Sequence, residues 1–283
     1  MIEIEQRDYR DTLARAAEHG GADLVVTSPP YDDARTYGAG VSWTMADYRA
    51  LGDALLVGLR PGGHALVVLS GPVRDTPRGT ERSLTPWRVV LDWTDRVGLR
   101  CPDVLAYARA GMPGEFRGRF RQDWEPILWM QRPGVGGWME KSTLRESARF
   151  GRTRASSCGI RRQDGSLLRR VRSGRAVDEG TIERGTLWSY GMVGHGGERG
   201  DLEATDHPAR FASRFARDAV RCFCPPGGLV CDPFVGSGTS AVVAVEEGRR
   251  FVGGDTGHDA RGVPWASVAL DLATAQPPLL VSL

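Results

Sequence analysis

The sequence predicts a three-layer α/β fold on a mainly parallel sheet, and three observations predict it. Short unbroken apolar runs at Asp23–Thr27, His64–Leu69 and Leu229–Cys231 have the length and composition of strands buried on both faces. Between such runs, apolar residues recur at three- and four-residue spacing, the period of a helix that covers a sheet. A glycine-rich stretch, residues 232–239, sits between one of these strands and the next helix. Strands that alternate with helices are joined by crossovers, and crossovers pair them in parallel.

Taken in order, the strand Asp23–Thr27 is stopped by Pro29 and Pro30. Tyr48, Leu51, Leu55 and Leu59 then form one helix face, with Ser42 or Thr44 as the cap and Pro61-Gly62-Gly63 as the stop. A strand over His64–Leu69, a helix near Trp87–Arg96, and strands near Asp103–Tyr107 and Ile127–Met130 follow. From Arg132 to Arg184, Gly, Ser and Arg dominate without apolar period, so this stretch reads as an inserted loop region or small subdomain. Regularity resumes near Leu187. Pro208 suits the first turn of a helix carrying Phe211, Phe215 and Ala219 on one face, closed by Pro225-Pro226-Gly227-Gly228. The strand Leu229–Cys231, a helix over Thr239–Glu247, a strand from Arg250 to Gly253 that leads to Asp255, and a helix over Trp265–Thr274 complete the pattern. The expected organisation is 1–133, an insert at 134–186, and 187–283, the outer two forming one domain.

Composition narrows the function classes. At 283 residues, with 41% hydrophobic and 25% charged positions, the chain is an ordinary globular one. No stretch approaches the roughly 18 to 20 apolar residues of a membrane helix, and the charged first residues lack a signal-peptide core, so a cytoplasmic protein with no membrane partner is expected. Cys101, Cys158, Cys222, Cys224 and Cys231 follow no metal-ligand spacing; reduced thiols and no metal are expected. Lys141 and eleven arginines face five acids over 141–184, a net +7 that leaves −5 for the rest of the chain. A basic island on an acidic body suits a polyanion such as nucleic acid.

Two motifs carry chemistry. Asp232-Pro233-Phe234-Val235-Gly236-Ser237-Gly238-Thr239 lets the backbone approach a ligand at a strand's carboxyl end, opposite a helix N-terminus. It is neither a Walker loop nor GxGxxG. The next strand leads to Asp255, placed to accept hydrogen bonds from ribose, so a nucleoside without pyrophosphate fits better than a dinucleotide. Thr27-Ser28-Pro29-Pro30-Tyr31 is the second motif. Its prolines stiffen the turn and bring no N–H of their own. Ser28 and the Pro29 carbonyl can then accept hydrogen bonds from an amino group, and Tyr31 offers a face for a planar base.

Together these segments resemble the DNA amino-methyltransferases, in the permuted β-group order with the TSPPY motif ahead of the glycine loop. Arg7-Asp8, Asp123–Leu128 (DWEPIL), Leu187-Trp188-Ser189, His207–Phe211 (HPARF) and Gly248–Asp255 (GRRFVGGD) extend the likeness over most of the chain. The resemblance implies a Rossmann-like S-adenosylmethionine-dependent fold with a reversed edge strand and a target-recognition insert. It implies S-adenosylmethionine as cofactor and double-stranded DNA as partner. Ser28, Pro29, Pro30 and Tyr31 would be catalytic. Asp8, Thr27, His207, Asp232, Pro233, Phe234, Gly236, Ser237, Gly238, Thr239 and Asp255 would hold the cofactor, and Arg161, Arg162, Arg169 and Arg170 would contact DNA. Serine at position 28 is commoner in cytosine-N4 than in adenine-N6 members, which favours cytosine and keeps adenine as the alternative. A homodimer and a cognate restriction enzyme are further partners the resemblance raises. A non-catalytic DNA-binding module on the same fold is the competing reading, disfavoured by the intact motifs.

Overall fold

In the computed structural model, residues 1–31, 43–77, 79–108, 120, 122–147, 160–161, 167–168, 181–190, 211–258 and 262–275 are described. The chain divides into a first unit, Met1–Glu140 with Thr186–Leu283, and a second, Lys141–Gly185.

The first unit is built on strands β1 (Ile2–Glu5), β2 (Ala22–Thr27), β3 (Leu59–Val68), β6 (Arg100–Ala108), β7 (Trp124–Gln131), β12 (Leu187–Ser189), β13 (Leu229–Asp232) and β14 (Arg250–Gly254), in the order β1-β14-β13-β2-β3-β7-β6-β12. All neighbours are parallel except β7, which runs against both β3 and β6. A reversed strand was expected at the edge, and here the structure corrects the sequence: β7 lies third from the end. β6 pairs along it from Asp103 to Ala108, and the short β12 adds to the outside of β6 in parallel. Every residue of β2 and β13 is buried, as central strands between two helical layers must be.

Helices α1 (Tyr9–Glu18), α2 (Met45–Gly58) and α3 (Thr85–Asp95) form one layer, and α4 (Ser213–Phe223), α5 (Thr239–Glu246) and α6 (Trp265–Ala275) the other. The pleat divides each strand between the layers. Val25, Val67, Leu128, Cys231 and Val252 join the cluster under α1–α3 with Leu13, Leu51, Leu55 and Trp93. His64 and Trp129, of the opposite parity, meet Phe223 of α4.

Several boundaries differ from the sequence reading for identifiable reasons. Of the two caps the sequence offers for α2, Thr44 is the one used, because Asp47 completes a reciprocal capping box with it. α2 ends at Gly58, and Pro61-Gly62-Gly63 belongs to β3 at a register shift against β2. Gly62 (φ +79°) is needed there, since a Cβ would stand 2.6 Å from the Gly137 backbone nitrogen. α4 begins at Ser213 rather than around Pro208, which lies outside the described residues. β1, α1 and the hairpin β4 (Val73–Thr76) with β5 (Gly79–Arg82) were not anticipated.

The second unit contains a 3₁₀ turn at Lys141–Thr143 and two antiparallel pairs. β8 (Arg145–Ser147) pairs with β11 (Thr181–Glu183), and β9 (Ile160–Arg161) with β10 (Leu167–Leu168). Residues 134–140 fall in the first unit, where Gly134 and Gly137 pack on Pro61 and Gly62. Among the described residues no group of His, Cys, Asp and Glu could hold a metal, and no helix is long and apolar enough to cross a membrane.

Candidate active site at the carboxyl edge of the sheet

Four adjacent strands, β1, β14, β13 and β2, end on one side of the sheet, and each carries a predicted site segment just beyond its last residue. Asp8 follows β1, Asp255 follows β14, the glycine loop follows β13, and Ser28-Pro29-Pro30-Tyr31 follows β2. Between β13 and β2 the chain's direction of winding reverses. From β13, α5 leads outward to β14; from β2, α2 leads the other way to β3. Such a switch point leaves a crevice between the two departing loops, where ligands of open α/β sheets bind.

A buried hydrogen-bond set joins the two motifs at that point. Thr27 Oγ1 donates to Asp232 Oδ1 at 2.6 Å, linking residues 205 positions apart. The same oxygen accepts from the Phe234 N–H at 3.1 Å, and Oδ2 accepts from Ser240 Oγ at 2.5 Å. Burial pushes the Asp232 carboxyl up to about 6, while Ser240, Thr27 and the Phe234 N–H pull the other way. Asp232 is 1% exposed, so it acts as an internal clamp that shapes the loop and has little surface for direct ligand contact. Ser240 is a member of this set that the sequence reading does not include; its place as the second residue of α5, just after the loop's last glycine, is the signal that could have found it.

The loop itself is held from both ends. Val235 N–H donates to the Gly254 carbonyl, and Gly236 N–H to Asp255 Oδ2 at 2.9 Å. Asp255 Oδ1 accepts from Gly257 N–H at 2.7 Å, so each carboxylate oxygen keeps an accepting position for a hydroxyl. Gly238 (φ +86°) begins α5 with no side-chain cap. A Cβ on Gly238 would fall 2.7 Å from Ala269 Cα, so α6 packs directly on this turn. The first N–H groups of α5 form an uncapped positive end at the loop. Pro233, Ser237 and Thr239 are buried in the loop's frame, whereas Phe234 is half-buried.

On the β2 side, Ser28 is half-buried and its Oγ donates to the Tyr31 hydroxyl at 3.3 Å. Tyr48 of α2 donates to the Pro30 carbonyl at 2.8 Å. Among the described residues no donor reaches the Pro29 carbonyl. Tyr31 is 7% exposed and belongs to the core cluster under α1–α3; the stacking role read from sequence needs that ring to be uncovered when a base arrives. Asp8 caps α1, accepting from the Arg10 N–H at 2.8 Å. Around this corner Tyr9, Trp43 and Phe234 make ring contacts at 5.2–5.6 Å, a cluster the sequence reading did not foresee.

The donor and acceptor set fits a nucleoside bearing an amino acid: carboxylates for hydroxyls, an uncapped helix end for a carboxylate, and rings for a flat base. His207, Arg162, Arg169 and Arg170 lie outside the described residues, and of Arg161 only its place in β9 is described.

Over residues 22–261 the chain matches the family described as DNA methylase. The orphan methyltransferase M.BamHII of Bacillus amyloliquefaciens is 26% identical over 231 residues, covering 82% of each chain. The cytosine-N4-specific PvuII DNA methyltransferase aligns structurally with a TM-score of 0.64 at 16% identity, over 96% of this chain and 87% of that one. M1.HpyAVI in complex with SAM gives 0.60 at 16% identity, over 96% and 98%. At such identities the structural likeness establishes the fold, a Rossmann-like methyltransferase fold.

Proposed function

This chain belongs to the DNA methylase family that methylates amino nitrogens, and from that premise we propose that it transfers a methyl group from S-adenosylmethionine to cytosine N4 in double-stranded DNA. The observation that carries the reading is the buried Thr27–Asp232 link, which sets the amino-recognition turn beside the glycine loop at the switch point. The cofactor supplies an electrophilic methyl on sulfur. Asp255 accepts from its ribose, Asp8 lies toward its adenine, and the loop from Phe234 to Thr239 with the α5 N-terminus receives its methionine end.

The target base leaves the duplex to reach this crevice. Its amino nitrogen is a poor nucleophile because the lone pair is delocalised into the ring. Ser28 Oγ and the Pro29 carbonyl accept the two N–H bonds, favour a more tetrahedral nitrogen, and aim its lone pair at the methyl. Ser28 Oγ can accept in this way while it donates its own proton to the Tyr31 hydroxyl, because the hydroxyl oxygen keeps its lone pairs. Positioning and fixed dipoles carry such a step. The arginines of the second unit contribute phosphate contacts, in keeping with its net +7.

Cytosine is favoured because Ser28 places a small neutral acceptor, rather than a carboxylate, beside the base; the PvuII enzyme that shares the fold is itself cytosine-N4-specific. The test is to incubate the protein with duplex DNA and labelled cofactor, then weigh the nucleosides after digestion. N4-methylcytosine is expected. N6-methyladenine alone would overturn the base assignment, and label appearing in RNA but not in DNA would overturn the substrate.

A further inference from the structure

Among the described residues, the Tyr9 hydroxyl meets no partner at hydrogen-bonding geometry. The residue is 7% exposed, and its hydroxyl oxygen is enclosed without a hydrogen-bond partner. Buried phenols ordinarily find a partner, so an orphan of this kind calls for an explanation. Packing does not supply one. The ring stacks on Phe234 (centroids 5.6 Å apart, planes at 28°), meets Trp43 at 5.5 Å, and lies under the Arg10 guanidinium at 4.6 Å. Phenylalanine would keep all of these ring contacts and lose only the hydroxyl's weak coupling to the exposed Arg10 guanidinium. Burial also pushes the phenol's pKa up, so the group stays protonated and able to donate.

Its location narrows what could satisfy it. Tyr9 is the first residue of α1, directly after Asp8, and α1 follows β1, which pairs with β14. Its ring rests on Phe234, whose N–H is fixed by the Asp232 clamp. Tyr9 therefore bridges the Asp8 corner and the glycine loop. The α5 N-terminus, which suits a carboxylate, lies at the other end of that loop.

We propose that Tyr9 is a further cofactor-binding residue, its hydroxyl hydrogen-bonding to the nucleoside half of S-adenosylmethionine. The assignment rests on the reading that this cofactor binds at the carboxyl edge. The nucleoside half offers ring nitrogens and hydroxyls, and a phenol can donate to the first and exchange bonds with the second.

The test is Tyr9→Phe in the full chain, read by calorimetry with two ligands and by thermal unfolding without ligand. S-adenosylmethionine and 5′-methylthioadenosine share the nucleoside, and the second lacks the amino-acid end. Both should bind the variant roughly threefold to tenfold more weakly, the worth of one hydrogen bond. The ligand-free variant should melt no lower than wild type, since it has lost an unsatisfied group and no contact. Unchanged affinity for both ligands would overturn the proposal. So would a fall in melting temperature without ligand, which would make the hydroxyl structural. Weakening confined to S-adenosylmethionine would move the contact to the methionine end and overturn the nucleoside assignment. Failure of wild type to bind either ligand would instead remove the cofactor reading, and Tyr9 with it.

Discussion

Thr27→Val tests the clamp that joins the two halves of the site. Valine nearly matches threonine in volume, and Thr27 is wholly buried, so the change removes one donor from Asp232 and little else. A hydrogen bond to an ionised acceptor is worth about 1.5–3 kcal/mol, one to a neutral acceptor about 0.5–1.5 kcal/mol. Which value applies depends on Asp232, raised by burial to about 6. A carboxyl whose folded pKa lies above its unfolded one stabilises the fold at low pH, and that contribution is lost as pH rises through the folded value. At pH 8 the carboxylate is charged and the lost donor should cost about 2 kcal/mol; at pH 5 it is mostly protonated and the cost should fall to about 1 kcal/mol. The difference corresponds to a further rise of roughly one pKa unit in the variant. Urea unfolding of wild type and variant at the two pH values reads this directly, and Thr27→Ser, which keeps the hydroxyl and loses a buried methyl, should restore the wild-type pH dependence. Equal destabilisation at pH 5 and pH 8, or none, would refute the clamp as described.

Other perturbations probe other parts of the molecule. Asp255→Asn should weaken S-adenosylmethionine binding by roughly tenfold or more, and should also loosen the loop, since Gly236 and Gly257 both donate to this side chain; unchanged affinity by calorimetry would place the ligand elsewhere. Neutralising Arg161, Arg162, Arg169 and Arg170 together should weaken DNA binding and flatten its dependence on salt; a salt slope equal to wild type would make the island a bystander. His64 is buried, accepts from Trp129 Nε1 at 3.1 Å, and burial holds its pKa down to about 4. The unfolded chain takes up a proton near the ordinary value of about 6.5 and the fold does not, so stability should fall by about 2 kcal/mol between pH 7 and pH 5 from this residue alone. In His64→Gln that loss should vanish from the unfolding curves; its persistence would assign the acid sensitivity to other groups.

How much of this was legible in the sequence depends on how local each signal is. The central strands announced themselves because burial on both faces leaves unbroken apolar runs, as in Asp23–Thr27 and Leu229–Cys231. β1 was missed because Ile2-Glu3-Ile4-Glu5 is short and half charged; Glu3 is paired with Arg15 and Arg7, which makes an acidic strand tolerable. α1 carries its apolar face on only Tyr9, Leu13 and Ala16 among charges, a stripe too thin to stand out. The place of β7 could not be read at all, because a strand's neighbours are set by pairing across the sheet and not by its own residues. The same distinction holds in the site. Motif residues are picked out by type and order, and Ser240 is signalled only by its position after the last glycine, whereas the orphan hydroxyl of Tyr9 emerges only from what it fails to touch in three dimensions.

The winding of the sheet explains why two motifs so far apart in sequence can form one site. With β13 and β2 adjacent and parallel, their carboxyl ends are about 4.8 Å apart, close enough for one side chain to reach the other. Any two loops leaving those ends must diverge, because α5 and α2 depart to opposite layers. The divergence opens the crevice, and Thr27, Asp232 and Ser240 hold its floor shut beneath it. Chain order is then immaterial to the geometry: a glycine loop placed after the Ser28–Tyr31 turn reaches the same spot as one placed before it, provided the strands beneath them are neighbours. What the order does decide is where a large insertion can enter without disturbing that floor. The stretch between β7 and β12 leaves from the strand two positions from β2 and returns at the strand four positions from it, and it is there that the basic unit is inserted.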